Sequence, residues 1–224
     1  PIDINIIQRL SEVVSIDLNI SSAKDKSFIL YAIKAHNIEF IQFYLNYLKK
    51  NGEKLPDEIS DCSPFILSIV ECNLAAVNLF IDYYGSDIVN QTEQVNYALK
   101  QLLAKVCHSN IQNNNNYTSL IQVIKRLSEV VNVNLNVYCD YDTFLTLAVK
   151  KSLLDLVKLL LQIDSVDVNL CDLFTGNSPF LIAITHFKEE IISLFFDCPR
   201  TDFNYSNYDN ETALTLSLQK PGNT

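Results

Sequence analysis

The sequence predicts an all-α solenoid, in which helix–turn–helix units stack on one another and short turns or β-hairpins project between them. Two nested repeats predict this fold. RLSEVVSIDLN at residues 9–19 recurs as RLSEVVNVNLN at residues 126–136, 117 positions later. Within each half of the chain, a shorter unit of 34 to 36 residues also recurs. Because one such unit cannot bury its apolar face alone, neighbouring units must stack to form a continuous core.

The longer repeat is a duplicated segment. SFILYAIKAHNIEFIQFYL at 27–45 corresponds position by position to TFLTLAVKKSLLDLVKLLL at 143–161. SPFILSIVECNLAAVNLFI at 63–81 corresponds in the same way to SPFLIAITHFKEEIISLFF at 178–196. We interpret this as the duplication of three short units. Each RLSEVV copy then ends a second helix and enters its turn, so its recurrence reflects architecture.

Each short unit begins with a hydroxyl residue that suits a helix N-cap, because its oxygen can accept a hydrogen bond from a free N–H of the first turn. Pro64 and Pro179 follow two of these caps, at a position where a missing N–H costs nothing. A small residue later in the helix permits close approach of the next layer. The predicted caps are Ser27, Ser63, Thr143, Ser178 and Thr212, and the small residues are Ala32, Ser68, Ala148, Ala183 and Ser217.

A second apolar run completes each unit, as in Leu153 to Leu161, where apolar residues at helical spacing predict a buried stacking helix. A D/N–apolar–N segment closes the unit, because Asp and Asn side chains bond to nearby backbone and start turns. These segments lie at residues 17–19, 134–136, 167–169 and 202–204. Carboxylates at the start of second helices (Asp155, Glu189 and Glu190) complement the positive helix end.

This pattern resembles the ankyrin repeat, whose motif runs D-x-x-G-x-T-P-L-H-x-A before a short turn and a second helix rich in Leu and Val. NYDNETAL at residues 207–214 aligns with the opening of the motif and has Asn210 where Gly is usual. Residues 173–180 align too and keep Gly176 at that position. Residues 143–161 align through both helices. The resemblance implies a non-enzymatic module that binds another protein through its concave face.

The sequence departs from the ankyrin motif in two ways. Gly is scarce, and Ser152 stands at the usual glycine between the two helices. The His of T-P-L-H is replaced in every unit, by Leu30, Ile66, Thr146, Leu181 and Thr215. Asn at a glycine position is physically reasonable, since Asn adopts the left-handed backbone conformation more readily than most residues.

We predict a single array over residues 1–224, read as part of a longer protein because it starts at Pro1 and contains no Met. A partial repeat at 1–20 and another at 206–224 flank full repeats at about 21–56, 57–90, 91–137, 138–170 and 171–205. The 91–137 repeat is irregular, with helices predicted at Gln94–His108 and Thr118–Val131. Its Asn-rich insert at 110–116 is either an unstructured surface loop or a binding loop.

The composition argues against several classes of function. A net charge of −9 argues against nucleic acid and against an anionic membrane surface. No apolar run is long enough for a membrane span, and no secretory signal opens the chain. The six cysteines form no CxxC pair and are interpreted as small buried apolar residues in a reducing compartment. We therefore expect a cytoplasmic monomer without direct membrane insertion.

Catalytic motifs are missing from the sequence. The three histidines, His36, His108 and His186, are scattered among repeats, and no nucleophile-elbow sequence accompanies them. The four glycines are too separated for a phosphate-binding loop. No metal-binding motif of paired His or Cys residues occurs. The sequence thus predicts no enzyme, no cofactor and no metal.

In stacked repeats of this kind, the turns and the exposed side of the first helices form a concave surface. The protein-binding residues that we predict there are Asp140, Tyr141, Phe174, Thr175, Tyr208, Asp209, Lys150, Lys151, Thr185 and His186. Further residues on the same predicted face are Cys139, Lys34, Val70 and Glu71. The alternative is that the three aromatic side chains simply pack against adjacent turns.

Two other functions stay open at this point. The chain could be a regulatory or targeting arm of a longer enzyme, channel or effector protein, which motifs elsewhere in the full-length protein would indicate. It could instead be a structural spacer or a self-associating array, in which case its apparent mass would depend on concentration.

Overall fold

A computed structural model describes residues 28–55, 63–108 and 116–218. The chain forms two compact units, Pro1–Ala98 (unit 1) and Leu99–Thr224 (unit 2). The partial repeat at 1–20 with the first RLSEVV copy, the cap at Ser27 and most of the Asn-rich insert lie outside the described residues. The predicted repeat boundaries stay a prediction.

Unit 1 is built from two helical hairpins. Within it α1 packs on α3 and α2 packs on α4, so first helices and second helices form separate layers. Its elements are α1 (Phe28–Lys34), α2 (Ile38–Asn51), α3 (Pro64–Val70), α4 (Leu74–Tyr84) and a 3₁₀ helix (Gly85–Gln91). The next helix, α5 (Thr92–His108), contains the boundary between the units and begins two residues before the predicted start.

Unit 2 repeats the same two-layer packing. Here α7 packs on α9 and α9 on α11, while α6 packs on α8 and α8 on α10. Its elements are α6 (Asn116–Val130), β1 (Tyr138–Cys139), β2 (Asp142–Thr143), α7 (Phe144–Lys150), α8 (Leu154–Gln162), α9 (Pro179–Thr185), α10 (Glu189–Phe196) and α11 (Ala213–Leu218).

The turn between paired helices is the same in both units. A residue with positive φ follows the first helix, and the N–H after it bonds back into that helix, as Leu153 does to the Ala148 carbonyl at 2.9 Å. This position holds His36 (φ 52°), Cys72 (52°), Ser152 (57°) and Phe187 (53°), and none of them is glycine. The turn geometry is therefore retained at a conformational cost.

The predicted caps have mixed outcomes. Thr143 and Thr146 bond reciprocally across the start of α7, in a full capping box. Ser178 accepts from the Leu181 N–H at 3.3 Å and Thr212 from the Thr215 N–H at 3.4 Å. The prediction is wrong for the Ser63 hydroxyl, which does not cap α3, although its backbone is extended as a cap requires.

The core of each unit lies between the two helix layers. Apolar faces of the second helices are fully buried, as at Phe40 and Tyr44 in α2 and at Phe195 in α10. The predicted small residues Ala32, Ser68, Ala148 and Ala183 are also fully buried. In the second RLSEVV copy, the chain continues into the core through Val131, Val133 and Leu135, so this copy is architectural as predicted.

Successive turns of unit 2 are joined by asparagine side chains. The Asn136 amide donates to the Ser165 carbonyl at 2.8 Å, and its oxygen accepts from the Asp167 N–H at 2.8 Å. We call this two-bond contact an asparagine bridge.

A second asparagine bridge lies one repeat further on. Asn169 donates to the Arg200 carbonyl at 2.8 Å and accepts from the Asp202 N–H at 2.8 Å. In these two D/N–apolar–N segments, the last residue thus hydrogen-bonds to two backbone groups of the next turn. The sequence indicated a turn at these segments, but not a contact between turns.

Arg200 forms a further contact between successive repeats of unit 2. Its guanidinium donates to four carbonyls at the end of α8 and in the turn after it. The acceptors are Leu161 (2.8 Å), Ile163 (3.2 Å), Asp164 (3.1 Å) and Val166 (2.6 Å). The residue at the end of one repeat thus satisfies the helix end of the repeat before it.

Candidate protein-binding surface

Three neighbouring turns project from unit 2. The first is the hairpin β1–β2, in which Tyr138 pairs with Thr143 and Cys139 with Asp142. The second spans residues 171–178 and is closed by a bond from the Asp172 N–H to the Asn177 carbonyl at 3.0 Å. In the third, Ser206 and Thr212 form an antiparallel bridge.

Backbone hydrogen bonds connect these turns to one another. The Leu173 N–H donates to the Tyr141 carbonyl at 2.9 Å, which joins the first turn to the second. The Tyr208 N–H donates to the Thr175 carbonyl at 3.3 Å, which joins the second to the third. The backbones of the three tips are consequently held in fixed relative positions.

Each tip carries an exposed aromatic ring, and we call Tyr141, Phe174 and Tyr208 the aromatic turn surface. Their exposed fractions are 58%, 76% and 61%. The rings of Tyr141 and Phe174 meet edge to face, with centroids 6.0 Å apart. Tyr208 lies against Gly176, where an added Cβ would come within 2.5 Å of the Tyr208 ring. The rings contact adjacent turns, yet more than half of each stays exposed.

The second turn is organised by the carboxylate of Asp172. It accepts from the backbone N–H groups of Phe174 (3.0 Å) and Thr175 (2.8 Å) and from the Thr175 hydroxyl (2.6 Å). Burial would raise the pKa of Asp172, but the Thr175 bonds, the charge of Lys150 and the Phe174 N–H together lower it below its ordinary value. The carboxylate therefore stays ionised and fixes the turn that presents Phe174.

Asn207 organises the third turn in a similar way. Its oxygen accepts from the N–H groups of Asp209 (3.0 Å) and Glu211 (2.8 Å). Its amide donates to the Asn177 side chain and to the Glu211 carboxylate, both at 2.9 Å. Asn207 is buried, whereas Tyr208 and Asp209 beside it are exposed. Buried polar groups thus support the ring and charge displayed at this tip.

Comparison with known proteins decides the fold. No protein-family model matches the chain, and no curated protein matches its sequence. The solved structure of the human ASB11 ankyrin repeat domain, however, superposes with a TM-score of 0.57 at 15% identity, over 97% of this chain and 87% of that one. This chain has the ankyrin-repeat fold. The crystal structure of the Bcl-3 ankyrin repeat domain, from the IκB protein family, also matches, with a TM-score of 0.47 at 17% identity, over 85% and 93% of the two chains.

The ankyrin repeats of unit 2 carry all ten predicted binding residues. The charged and polar ones flank the aromatic turn surface on turns and first helices. Asp140, Asp209, Thr185 and His186 are exposed, whereas Thr175, Lys150 and Lys151 are half-buried. Lys34, Val70 and Glu71, on the face predicted from the sequence, lie in unit 1 at the ends of α1 and α3. Cys139 is half-buried in β1.

Several predicted polar residues already have partners inside their own repeats. The Lys150 ammonium forms an ion pair with Asp142 at 2.8 Å. The Thr185 hydroxyl donates to the Leu181 carbonyl at 2.8 Å, and His186 Nδ1 lies 2.9 Å from the Ile182 carbonyl. These bonds hold the first-helix ends in place, so the groups that stay open to a partner are chiefly the three rings and the turn aspartates.

Sequence reasoning missed a group of three tyrosines, Tyr138, Tyr205 and Tyr208, around Cys171. The Tyr138 hydroxyl donates to the Cys171 carbonyl at 2.9 Å. Burial, followed by the neighbouring Cys171 side chain, raises the pKa of Tyr205 well above its ordinary value. Charge repulsion from Cys171 raises the pKa of Tyr208. These phenols stay protonated, and only the stacking of three separate turns brings them together.

The part of the chain that the structure describes contains neither a metal-binding cluster nor a membrane-spanning helix. Within residues 28–55, 63–108 and 116–218, no group of three or more His, Cys, Asp or Glu side chains is placed to hold a metal ion. None of the helices in those ranges is both long and apolar enough to cross a membrane.

Proposed function

We propose that this ankyrin-repeat array is a non-enzymatic module that binds another protein or peptide through the aromatic turn surface of unit 2. The observation that carries the proposal is the row of three rings, each more than half exposed, on three turns joined by backbone bonds. Contiguous exposed apolar patches mark interaction sites, whereas single exposed apolar residues are ordinary.

The physical argument concerns affinity and its conformational cost. Aromatic side chains are frequent energetic anchors of interfaces, because each buries a large area with few rotatable bonds. The turns are already ordered by Asp172, Asn207 and the backbone links, so binding need not order them. Asp140 and Asp209 flank the rings and supply negative charge to a complementary partner.

The proposal places the array as a monomer in the cytoplasm, without a cofactor. The free cysteines support a reducing compartment: the thiols of Cys72, Cys139, Cys171 and Cys198 form no disulfide. Cys72 and Cys198 are buried as the sequence predicted, whereas Cys139 and Cys171 are only half-buried, because both lie in turns.

A capture experiment tests the site. The immobilised chain and its Tyr141→Ala/Phe174→Ala/Tyr208→Ala variant are exposed to the same native lysate, and captured proteins are compared by mass spectrometry. We expect a protein that the parent retains and the variant loses, because removing anchoring rings costs about 2 kcal/mol each.

A matched control separates the site from general surface loss. Phe28→Ala/Tyr31→Ala/Tyr97→Ala removes three rings of unit 1 that are 50%, 54% and 54% exposed. This control should retain the partner, and circular dichroism should show that both variants are folded. Equal capture by the parent and both variants would show that the aromatic turn surface is not the binding site.

A further inference from the structure

The three turns that carry the aromatic turn surface contain charges of one sign only. Residues 138–143, 171–178 and 206–212 include five acidic residues and no Lys, Arg or His. The acidic residues are Asp140, Asp142, Asp172, Asp209 and Glu211. The exposed rings therefore stand among carboxylates.

Three of these carboxylates already have partners inside the chain. Asp142 forms its ion pair with Lys150 at 2.8 Å. Asp172 accepts three hydrogen bonds within its own turn. Glu211 accepts from the Asn207 amide at 2.9 Å. These three groups support the turns, so they are not the charges that face a partner.

The other two carboxylates, those of Asp140 and Asp209, are exposed. Among the residues that the structure describes, neither carboxylate has a hydrogen-bond or ion-pair partner. Both backbones are nevertheless fixed. Asp140 has a left-handed backbone (φ 55°) at the tip of the β1–β2 hairpin, and the Asp209 N–H donates to the Asn207 side chain at 3.0 Å.

Phe174 lies on the turn between these two carboxylates. Its turn is bonded to the first turn through Leu173 and to the third through Thr175. Phe174 is 76% exposed although described turns flank it on both sides, so its exposure does not come from a missing neighbour. With the Tyr141 ring 6.0 Å away, it forms an apolar centre with one carboxylate on each side.

Basic side chains behind the turns leave these two carboxylates unneutralised. The Lys150 ammonium is paired with Asp142. The Lys188 ammonium donates to the Lys150 carbonyl at 3.3 Å and to the Ser152 hydroxyl. Positive charge for Asp140 and Asp209 can therefore come from a partner.

The stacking of the repeats sets the spacing of that positive charge. The helix α7 packs on α9 and α9 packs on α11. Because packed helices lie about 9 Å apart, the first and third turns are about 18 Å apart. An extended chain advances about 3.3 Å per residue and places alternate side chains on one side. Two side chains that reach both carboxylates are thus about six residues apart.

We propose that the aromatic turn surface binds an extended segment of another protein that carries two basic residues about six positions apart and apolar side chains between them. One basic residue pairs with Asp140 and the other with Asp209, while the apolar side chains cover Phe174 and Tyr141. Arginine suits both ends, because its guanidinium pairs with carboxylates and stacks on aromatic rings. This inference rests on the proposed function and names the chemistry of the partner.

An unbiased peptide selection tests the inference. Random peptides about twelve residues long, displayed on phage, are selected on the full chain and sequenced. The most enriched peptide is then synthesised with a fluorescent label, and its binding is measured by fluorescence anisotropy at low and at high salt. We expect enriched peptides to share a pair of Arg or Lys residues at the spacing given above, and their binding to weaken in high salt.

A matched pair of double variants locates the charges. Asp140→Asn/Asp209→Asn removes both charges at nearly constant size, and Asn suits the left-handed backbone at position 140. It should bind the selected peptide about tenfold more weakly. Glu189→Gln/Glu190→Gln neutralises two exposed carboxylates of α10 and should bind as the parent does. This control separates the local charges from the net charge of −9, and circular dichroism checks that both variants are folded.

Several results would overturn the inference. They are an absence of enrichment, enriched peptides without basic residues, basic residues at no preferred spacing, or equal weakening by the two double variants. Uncharged peptides that bind the parent but not Tyr141→Ala/Phe174→Ala/Tyr208→Ala would remove this inference and leave the proposed function standing. Peptides that bind this triple variant as tightly as the parent would count against the aromatic turn surface itself.

Discussion

The second helices of the two units end differently. In unit 1, α2 has 14 residues and ends at Gly52, whose N–H bonds back to the carbonyls of Leu48 and Lys49. The next, α4, has 11 residues and also ends at a glycine, Gly85. In unit 2, α6 has 15 residues, but the two second helices that follow it, α8 and α10, have only 9 and 8, and neither of these two ends at a glycine.

Because of this difference, the last carbonyls of α2 are bonded within their own repeat, whereas those after α8 are bonded by a residue of the next repeat. A left-handed glycine satisfies the last carbonyls of its own helix. Without one, the carbonyls after α8 take hydrogen bonds from Arg200 in the next repeat. The asparagine bridges are cross-repeat contacts of the same kind, made to residues 165–167 and 200–202. Four pairs of substitutions test this comparison, starting with the largest expected effect.

Arg200→Ala removes the cross-repeat cap. Four carbonyls lose a charged donor, so the free energy of unfolding should fall by about 3 kcal/mol, measured by urea denaturation followed by circular dichroism. Arg200→Lys is the matched control. Its free energy of unfolding should lie between those of Arg200→Ala and the parent, because one ammonium cannot reach every acceptor. A loss below about 0.5 kcal/mol would mean that water replaces these bonds without cost.

Asn169→Ala and Asn204→Ala form a matched pair. The two residues occupy the same place in the D/N–apolar–N segment, but only Asn169 has a bridge. The first change should lower the free energy of unfolding by about 2 kcal/mol, since a backbone donor and acceptor lose their partner. Asn204→Ala should leave the free energy of unfolding unchanged. Equal losses in thermal or urea unfolding would contradict the assigned role of the bridge.

Gly176→Ala and Gly52→Ala separate backbone strain from steric contact. Both glycines have positive φ, 70° and 66°, but only at Gly176 does an added Cβ collide with the Tyr208 ring. We expect a loss of about 1 kcal/mol for Gly52→Ala and about 2 kcal/mol for Gly176→Ala. Tyrosine fluorescence of the Gly176 variant should also change as the ring is displaced. If the two losses were equal, the ring would be mobile in solution.

His36→Gly tests the left-handed turn between paired helices, which both units share. His36 is exposed and holds a positive φ of 52° in the turn between α1 and α2. Glycine there should raise the free energy of unfolding by up to about 1 kcal/mol. Ala35→Gly, one residue earlier and still bonded as in the helix, should lower it by about 0.5 kcal/mol. The same sign for both changes would contradict the left-handed turn.

Much of the fold could be predicted from the sequence because it depends on local patterns. Hydroxyl caps, apolar spacing and small residues recur with the unit, and each acts within one helix or between a helix and its nearest neighbour. That is why α7 to α10 lie where the motif predicts. The prediction failed for the Ser63 hydroxyl, which stands at the cap position but makes no capping bond. No pattern in the sequence indicated that Arg200 would donate to carbonyls of the preceding repeat.

The candidate site was predicted only as a set of exposed positions. Tyr141, Phe174 and Tyr208 are more than 30 positions apart along the chain, and their turns are similar enough for the sequence to place all three on one edge. Which rings touch could not be predicted. The edge-to-face contact of Tyr141 with Phe174, and the seat of Tyr208 on Gly176, depend on how far each turn is displaced from the last.

The sequence by itself determined the repeat unit, because helix periodicity and capping are properties of neighbouring residues. The tertiary structure decided which hydrogen bonds each repeat makes with the next. Asn136, Asn169 and Asn204 stand in equivalent segments, yet two bind the following turn and one is exposed. The physical reason is that their partners are backbone groups, which every residue carries, so no side-chain pattern marks them and only the stacking of repeats brings them within hydrogen-bond distance.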